Sequence, residues 1–104
     1  MTMTEILVDD NPSVSADVNL AVAAGETQRF VGISIRELEG SEFYATCRII
    51  NGSIASGTPI LSIELATSDS KFIWCWPGID AEDGISIEHI RGDLEIQLYY
   101  VVMR

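Results

Sequence analysis

The sequence predicts an all-β fold: a single antiparallel β-sandwich of about seven or eight strands, of jelly-roll type. Three observations carry this expectation. β-branched and aromatic residues are abundant, apolar residues alternate with polar ones over short runs, and turn signals recur roughly every ten residues. No long segment holds a helical period, and residues 37–39 and 80–83 offer at most one helical turn each. The 104 residues suffice for one domain that folds without metal or disulfide staples. The expected division is an extended N-terminal arm over 1–14 and one sandwich domain over 15–104.

The elements follow in order. Residues 17–23 carry Val18, Leu20 and Val22 at alternate positions until Gly25 breaks the run. Residues 27–36 alternate Val31, Ile33 and Ile35 with Gly32, Ser34 and Arg36. A turn at Gly40-Ser41 leads into 43–50, with Phe43, Ala45, Cys47 and Ile49 on one face and Tyr44, Thr46 and Arg48 on the other. Asn51-Gly52-Ser53 is a strong turn, because Asn and Gly both tolerate positive φ. After the loop 55–59, Leu61, Ile63 and Leu65 alternate with Ser62 and Glu64. The run 71–76 places Phe72, Trp74 and Trp76 on one face and Ile73 and Cys75 on the other, and Pro77-Gly78 closes it. Residues 85–90 form a further strand. The last strand begins after Gly92-Asp93, with Leu94, Ile96, Leu98, Tyr100 and Val102 sharing a face.

Charge narrows the function classes. Sixteen acidic residues against six basic ones give a net charge of −10. The six cations are scattered along the chain, so no basic patch forms for phosphates. Direct binding to nucleic acid or to an anionic membrane is not expected. The opening residues lack a cationic region followed by an apolar one, so no secretory signal is expected. Apolar runs such as 20–24 and 99–103 are far shorter than the roughly 20 residues of a membrane-spanning helix. A protein made in a cytoplasm is the expectation.

No motif points to catalysis, a metal or a cofactor. His89 is the only histidine, and no serine lies in a nucleophile elbow. Its expected place is a strand end facing solvent or a neighbouring subunit. Asp80, Glu82 and Asp83 before Gly84 resemble a cation loop, but the spacing fails the EF-hand pattern. A solvated acidic loop is the simpler reading. Cys47 and Cys75 read as buried free thiols, with a cross-strand disulfide as the alternative and a metal pair as the weakest.

Two apolar features remain. Trp74 and Trp76, sharing a face with Phe72, are either core or an aromatic binding platform for a sugar or a protein. The outer face of the last strand starts polar with Glu95 and Gln97, then becomes Tyr99, Val101 and Met103. An exposed strand stays polar outside, so this end is covered, by a loop, by the N-terminal arm or by another chain. Tyr44, Ile73, Tyr99, Val101 and Met103 are accordingly the candidate protein-interface residues.

From Ile50 onward, Gly52, Gly57, Leu65, Trp76, Pro77, Gly78, Gly84, Ile85, Gly92 and Tyr100, with Val31, Ile33 and Ile35 in the preceding strand, form a pattern of turn and core positions. In this pattern the chain resembles small structural proteins of tailed bacteriophages. The likeness covers roughly residues 29–102, through turn and core positions rather than catalytic ones; residues 1–25 take no part. It implies a non-enzymatic component of the virion, similar to capsid decoration (cement) proteins or to head–tail and tail-associated subunits. Its implied partners are further copies of itself and the major capsid protein or another virion protein. The closing strand is the expected route of self-association.

Overall fold

The computed structural model describes residues 5–38 and 44–103. They form eight strands: β1 (Ile6–Val14), β2 (Val18–Val22), β3 (Thr27–Glu37), β4 (Ala45–Asn51), β5 (Thr58–Leu65), β6 (Ser70–Asp80), β7 (Ile85–Arg91) and β8 (Leu94–Met103). Two four-stranded sheets have the orders β1-β8-β3-β6 and β2-β7-β4-β5, and every registered pairing is antiparallel. This is the all-β sandwich expected from the alternation, with its principal extents 48 × 27 × 18 Å. The expected turn at Gly40-Ser41 and the strand position of Phe43 lie outside the described residues.

One apolar layer sits between the sheets. Phe30, Ile33, Ile35, Leu94, Ile96 and Leu98 face Cys47, Ile49, Ile63, Leu65, Ile85 and Ile87, all buried. Each residue contributes because it points inward from a strand whose neighbours point outward. Turns close the layers. At the β4–β5 connection Gly52 takes φ 99°, and its N–H donates to the Gly84 carbonyl at 2.9 Å, tying two loops together. At the other end Glu37 is buried and accepts from the Ser68 N–H at 2.7 Å.

Three expectations change. The stretch read as an arm is, from Ile6 on, a strand of the sandwich, pairing Leu7 with Tyr100 and Val8 with Tyr99. Its alternation is hidden by Asp9, Asp10 and Asn11, which an edge strand tolerates. The second change is in β3, where a bulge at Val31 puts both Phe30 and Ile33 into the core, three positions apart. The third is in β6, which does not end at Pro77. Its ladder passes from Gly32↔Trp74 to Phe30↔Ile79, so residues 75–78, with a cis Trp76–Pro77 bond, bulge out of the strand.

Candidate functional site: an aromatic sheet face

Strand alternation and register fix which side chains stand on the outer face of β1-β8-β3-β6. Arg36 lies between Ser70 and Glu95. In the next row Ser34 lies between Phe72 and Gln97, with Asp10 beyond. Gly32 then lies between Trp74 and Tyr99, with Val8 beyond. Past the bulge, Arg29 lies between Asp80 and Val101, with Ile6 beyond.

The middle of this face is aromatic. Phe72 and Trp74 stack at 9° between ring planes, with centroids 6.0 Å apart, and Tyr99 meets each edge-on at 6.0 Å. Such offset and edge contacts suit the ring quadrupoles. Trp74 reaches across its strand because residue 32 is glycine: a Cβ there would stand 2.7 Å from Trp74 Cε3 and 2.8 Å from the Ile73 carbonyl oxygen. Phe72 is nevertheless 63% exposed, Trp74 44% and Trp76, in the bulge, 53%. Ile6 and Val8 extend the apolar band across β1, both exposed.

Polar pairs border the band. Arg29 Nε donates to Asp80 Oδ1 at 2.9 Å at one end, and Arg36 Nη2 to Glu95 Oε2 at 3.2 Å at the other. Gln97 Nε2 donates to Asp10 Oδ1 at 3.4 Å along the β8–β1 side. The rows thus hold three acids (Asp10, Asp80, Glu95) and two arginines (Arg29, Arg36), one net negative charge on a chain of −10. An apolar centre, aromatic-rich and rimmed by polar groups, has the anatomy of an interface.

The structure sorts the sequence candidates. Trp74 stands in this band and Trp76 in the adjoining bulge, so the core reading of both is corrected: Ile73 and Cys75 pack inward in their place. Ile73 is therefore not part of this outer face. Val101 points outward but is only 1% exposed, flanked by Ile6 and Arg29, so it adds almost no surface to the face. Tyr99 belongs to the aromatic cluster. Met103 is exposed at the end of β8, and Tyr44 is exposed before β4 in the opposite sheet, apart from this face. Sequence reasoning missed Val8 and Gly32, and it left the face of Phe72 open between core and binding platform. The only signal for Gly32 was a glycine inside a strand, a mark of close approach.

The polar candidates serve the fold. His89 Nε2 donates to the Gly92 carbonyl at 2.5 Å, bridging the β7–β8 turn, and its N–H donates to Asp17 Oδ1 at 2.8 Å. Asp80 is held by Arg29, and Asn51 Oδ1 accepts from the Asp83 N–H at 3.1 Å. Among the described residues no three His, Cys, Asp or Glu side chains are grouped to hold a metal ion. Both cysteines are free, and burial pushes the Cys47 thiol up to about 12 and raises that of Cys75. No helix of the described residues is long and apolar enough to cross a membrane. Comparison with protein-family models, curated proteins and solved structures finds no match.

Proposed function

We propose that this chain is a non-enzymatic structural subunit that docks through the aromatic face of β1-β8-β3-β6. The observation that carries the proposal is the cluster of exposed Phe72 and Trp74 with half-buried Tyr99, inside a polar rim. A folded chain does not need those rings outside, and burying them against a partner supplies affinity. The pairing of β1 with β8, β2 with β7, β3 with β6 and β4 with β5 further supports a jelly-roll reading of the sandwich. The resemblance to small tailed-phage proteins makes the partner a virion surface, with a capsid decoration role on the major capsid protein lattice as its most specific form. A head–tail or tail-associated position is the alternative within the virion. Repetition on a lattice makes many modest contacts strong together, and the acidic surface elsewhere suits a basic patch on the shell.

The test is co-sedimentation with shells of the major capsid protein encoded nearest to the gene. Wild type is expected to pellet with the shells, and Trp74→Ala to stay in the supernatant while remaining folded. Absence of wild-type binding, or undiminished binding of Trp74→Ala, overturns the docking assignment.

One observation favours a second reading: both tryptophans are exposed, as a carbohydrate- or peptide-binding sandwich requires. Titration with a panel of soluble oligosaccharides, followed by tryptophan fluorescence, separates the two. A saturating shift abolished by Trp74→Ala, with no shell binding, selects the sugar.

A further inference from the structure

The self-association that the resemblance implies has a constraint in the topology. β8, the strand expected to carry it, lies between β1 and β3, and both of its edges are spent on their ladders. A second copy that extends a sheet has to reach one of the four edge strands: β1, β6, β2 or β5.

Three of these edges are blunted. In β1 the Asn11 side chain donates to the Asp9 carbonyl at 3.4 Å, and Pro12 follows. β2 is five residues long, registers with β7 at two positions, and turns through Leu20 at φ 56°. In β5, Pro59 sits beside a register shift, and Lys71 Nζ donates to the Glu64 carbonyl at 3.1 Å. Prolines, bulges, very short strands and lysines are the usual means by which an edge is denied to another strand, and of these β6 has only Lys71 within Ser70–Trp74, its Nζ drawn off to β5.

β6 differs. From Ser70 to Trp74 its ladder with β3 is regular for five successive pairs, with no proline and no bulge. The bulge and Pro77 begin only beyond Trp74. Of this run's backbone, the Ser70 N–H is taken by Asp69 Oδ1 at 2.8 Å; no comparable cap covers residues 71–74 among the described residues. At the centre of the run stands Phe72, 63% exposed and last in the aromatic row.

We infer that two copies of this chain pair antiparallel along β6, Ser70–Trp74 against Ser70–Trp74, about a two-fold axis at Phe72. This inference rests on the self-association implied by the resemblance to small tailed-phage proteins. A second copy fits because that axis sets the exposed Phe72 against its own copy and places no like charges opposite one another. Phe72 meets Phe72 of the partner subunit, Ser70 lies opposite Trp74 of the partner subunit, and Lys71 lies opposite Ile73 of the partner subunit. Isologous pairing of this kind closes at two. The two aromatic clusters become one continuous stripe across an eight-stranded sheet, and both docking faces point the same way. The pair therefore presents one enlarged face to a shell.

Disulfide trapping tests the geometry. Opposed residues in such a pair have Cβ atoms about 4.5–5.5 Å apart, within reach of a cross-link after small adjustment. Phe72→Cys and Val8→Cys are made separately in a Cys75→Ser background; both altered side chains are exposed. Light-scattering mass is measured alongside, over a dilution series. Expected are a dimeric mass for wild type, a covalent dimer for Phe72→Cys under mild oxidation, and none for Val8→Cys. Phe72→Lys is expected to give a monomeric mass with the wild-type circular dichroism spectrum. A covalent dimer from Val8→Cys but not Phe72→Cys shows face-to-face association and overturns the β6 pairing while leaving self-association standing. A wild-type monomer at every concentration overturns both. Shell co-sedimentation reports on the virion reading independently.

Discussion

The two outer faces of this sandwich are built on the same scaffold and look different. On β2-β7-β4-β5, Arg48 stands between Ser62 and Glu88, and Thr46 is opposite Glu64. Arg48 Nε donates to Glu88 Oε1 at 2.7 Å, and two exposed apolar residues of its strands sit at irregular positions, Leu20 at φ 56° and Ile90 where the ladder shifts register. On β1-β8-β3-β6 the corresponding centre is Phe72, Trp74, Tyr99 and Val8 around a glycine. The first face follows the rule that an antiparallel sheet is polar where it meets water. The second breaks it, and the breach is confined to one contiguous band. Scattered surface hydrophobes need no explanation, whereas a rimmed band points to function.

The comparison holds only if the inner faces of the two sheets are equivalent, and this gives the largest expected effect. Ile49, from the polar-faced sheet, and Leu98, from the aromatic-faced sheet, are both fully buried in the shared layer. Ile49→Ala and Leu98→Ala are each expected to cost about 3 kcal/mol in urea unfolding. A loss for Ile49→Ala alone would mean that the aromatic-faced sheet contributes little to the core, and the contrast would extend beyond the surface.

The next effect tests how the aromatic band is held. Gly32→Ala drives a methyl into Trp74 Cε3 and the Ile73 carbonyl, both inside 3 Å. The indole can swing away, but the backbone oxygen has to shift with its ladder. A cost of about 2 kcal/mol is expected, together with a changed tryptophan emission spectrum, as for other overpacked sites. An unchanged spectrum would show that Trp74 does not depend on the gap at Gly32.

Most of the fold was legible in the sequence, and the reason lies in regular ladders. Ala45, Cys47 and Ile49, or Leu94, Ile96 and Leu98, alternate without interruption, so parity alone places them inside. What escaped sequence reading lies at irregularities. The bulge at Val31 changes parity within β3, so counting from Val31 outward assigns Phe30 to the wrong face. In β6 parity groups Phe72, Trp74 and Trp76 correctly, but nothing in the alternation says which group is inside. Hydrophobicity favoured the three aromatic residues, whereas Ile73 and the small Cys75 fill the limited depth beside the core. β1 was obscured because an edge strand can be polar on both faces. The aromatic face was therefore visible as a set of residues before its direction could be assigned.

A third measurement compares the two thiols. Cys47 lies in the core layer on β4, its thiol pushed up to about 12 by burial, whereas Cys75 lies at the β6 bulge, its thiol also raised by burial. A raised thiol pKa means that the unfolded chain ionises first as pH rises. Stability from this source is complete below the ordinary value of 9.0, and for Cys47 it drains away between 9.0 and about 12. Between about pH 8 and pH 10, wild type is expected to lose about 1.4 kcal/mol more than Cys47→Ala. Cys75→Ala differs from wild type in the same direction. Equal slopes for wild type and Cys47→Ala would show that Cys47 is more accessible to water than its place in the core implies.

The smallest effect concerns the charges that distinguish the polar face. Arg48 and Glu88 form its ion pair, with side chains 40% and 20% exposed. Pairs of this kind contribute about 0.5 kcal/mol, because water screens the attraction and holding the side chains costs rotamer entropy. A double-mutant cycle of Arg48→Ala and Glu88→Ala is therefore expected to give a coupling of about 0.5 kcal/mol that weakens as salt is added. The same double variant is expected to dock as wild type, since neither residue stands on the aromatic face. Lost docking with an intact fold would place a second contact surface on β2-β7-β4-β5. The polar face would then be the side meeting a basic partner, and the division of labour between the two faces would have to be redrawn.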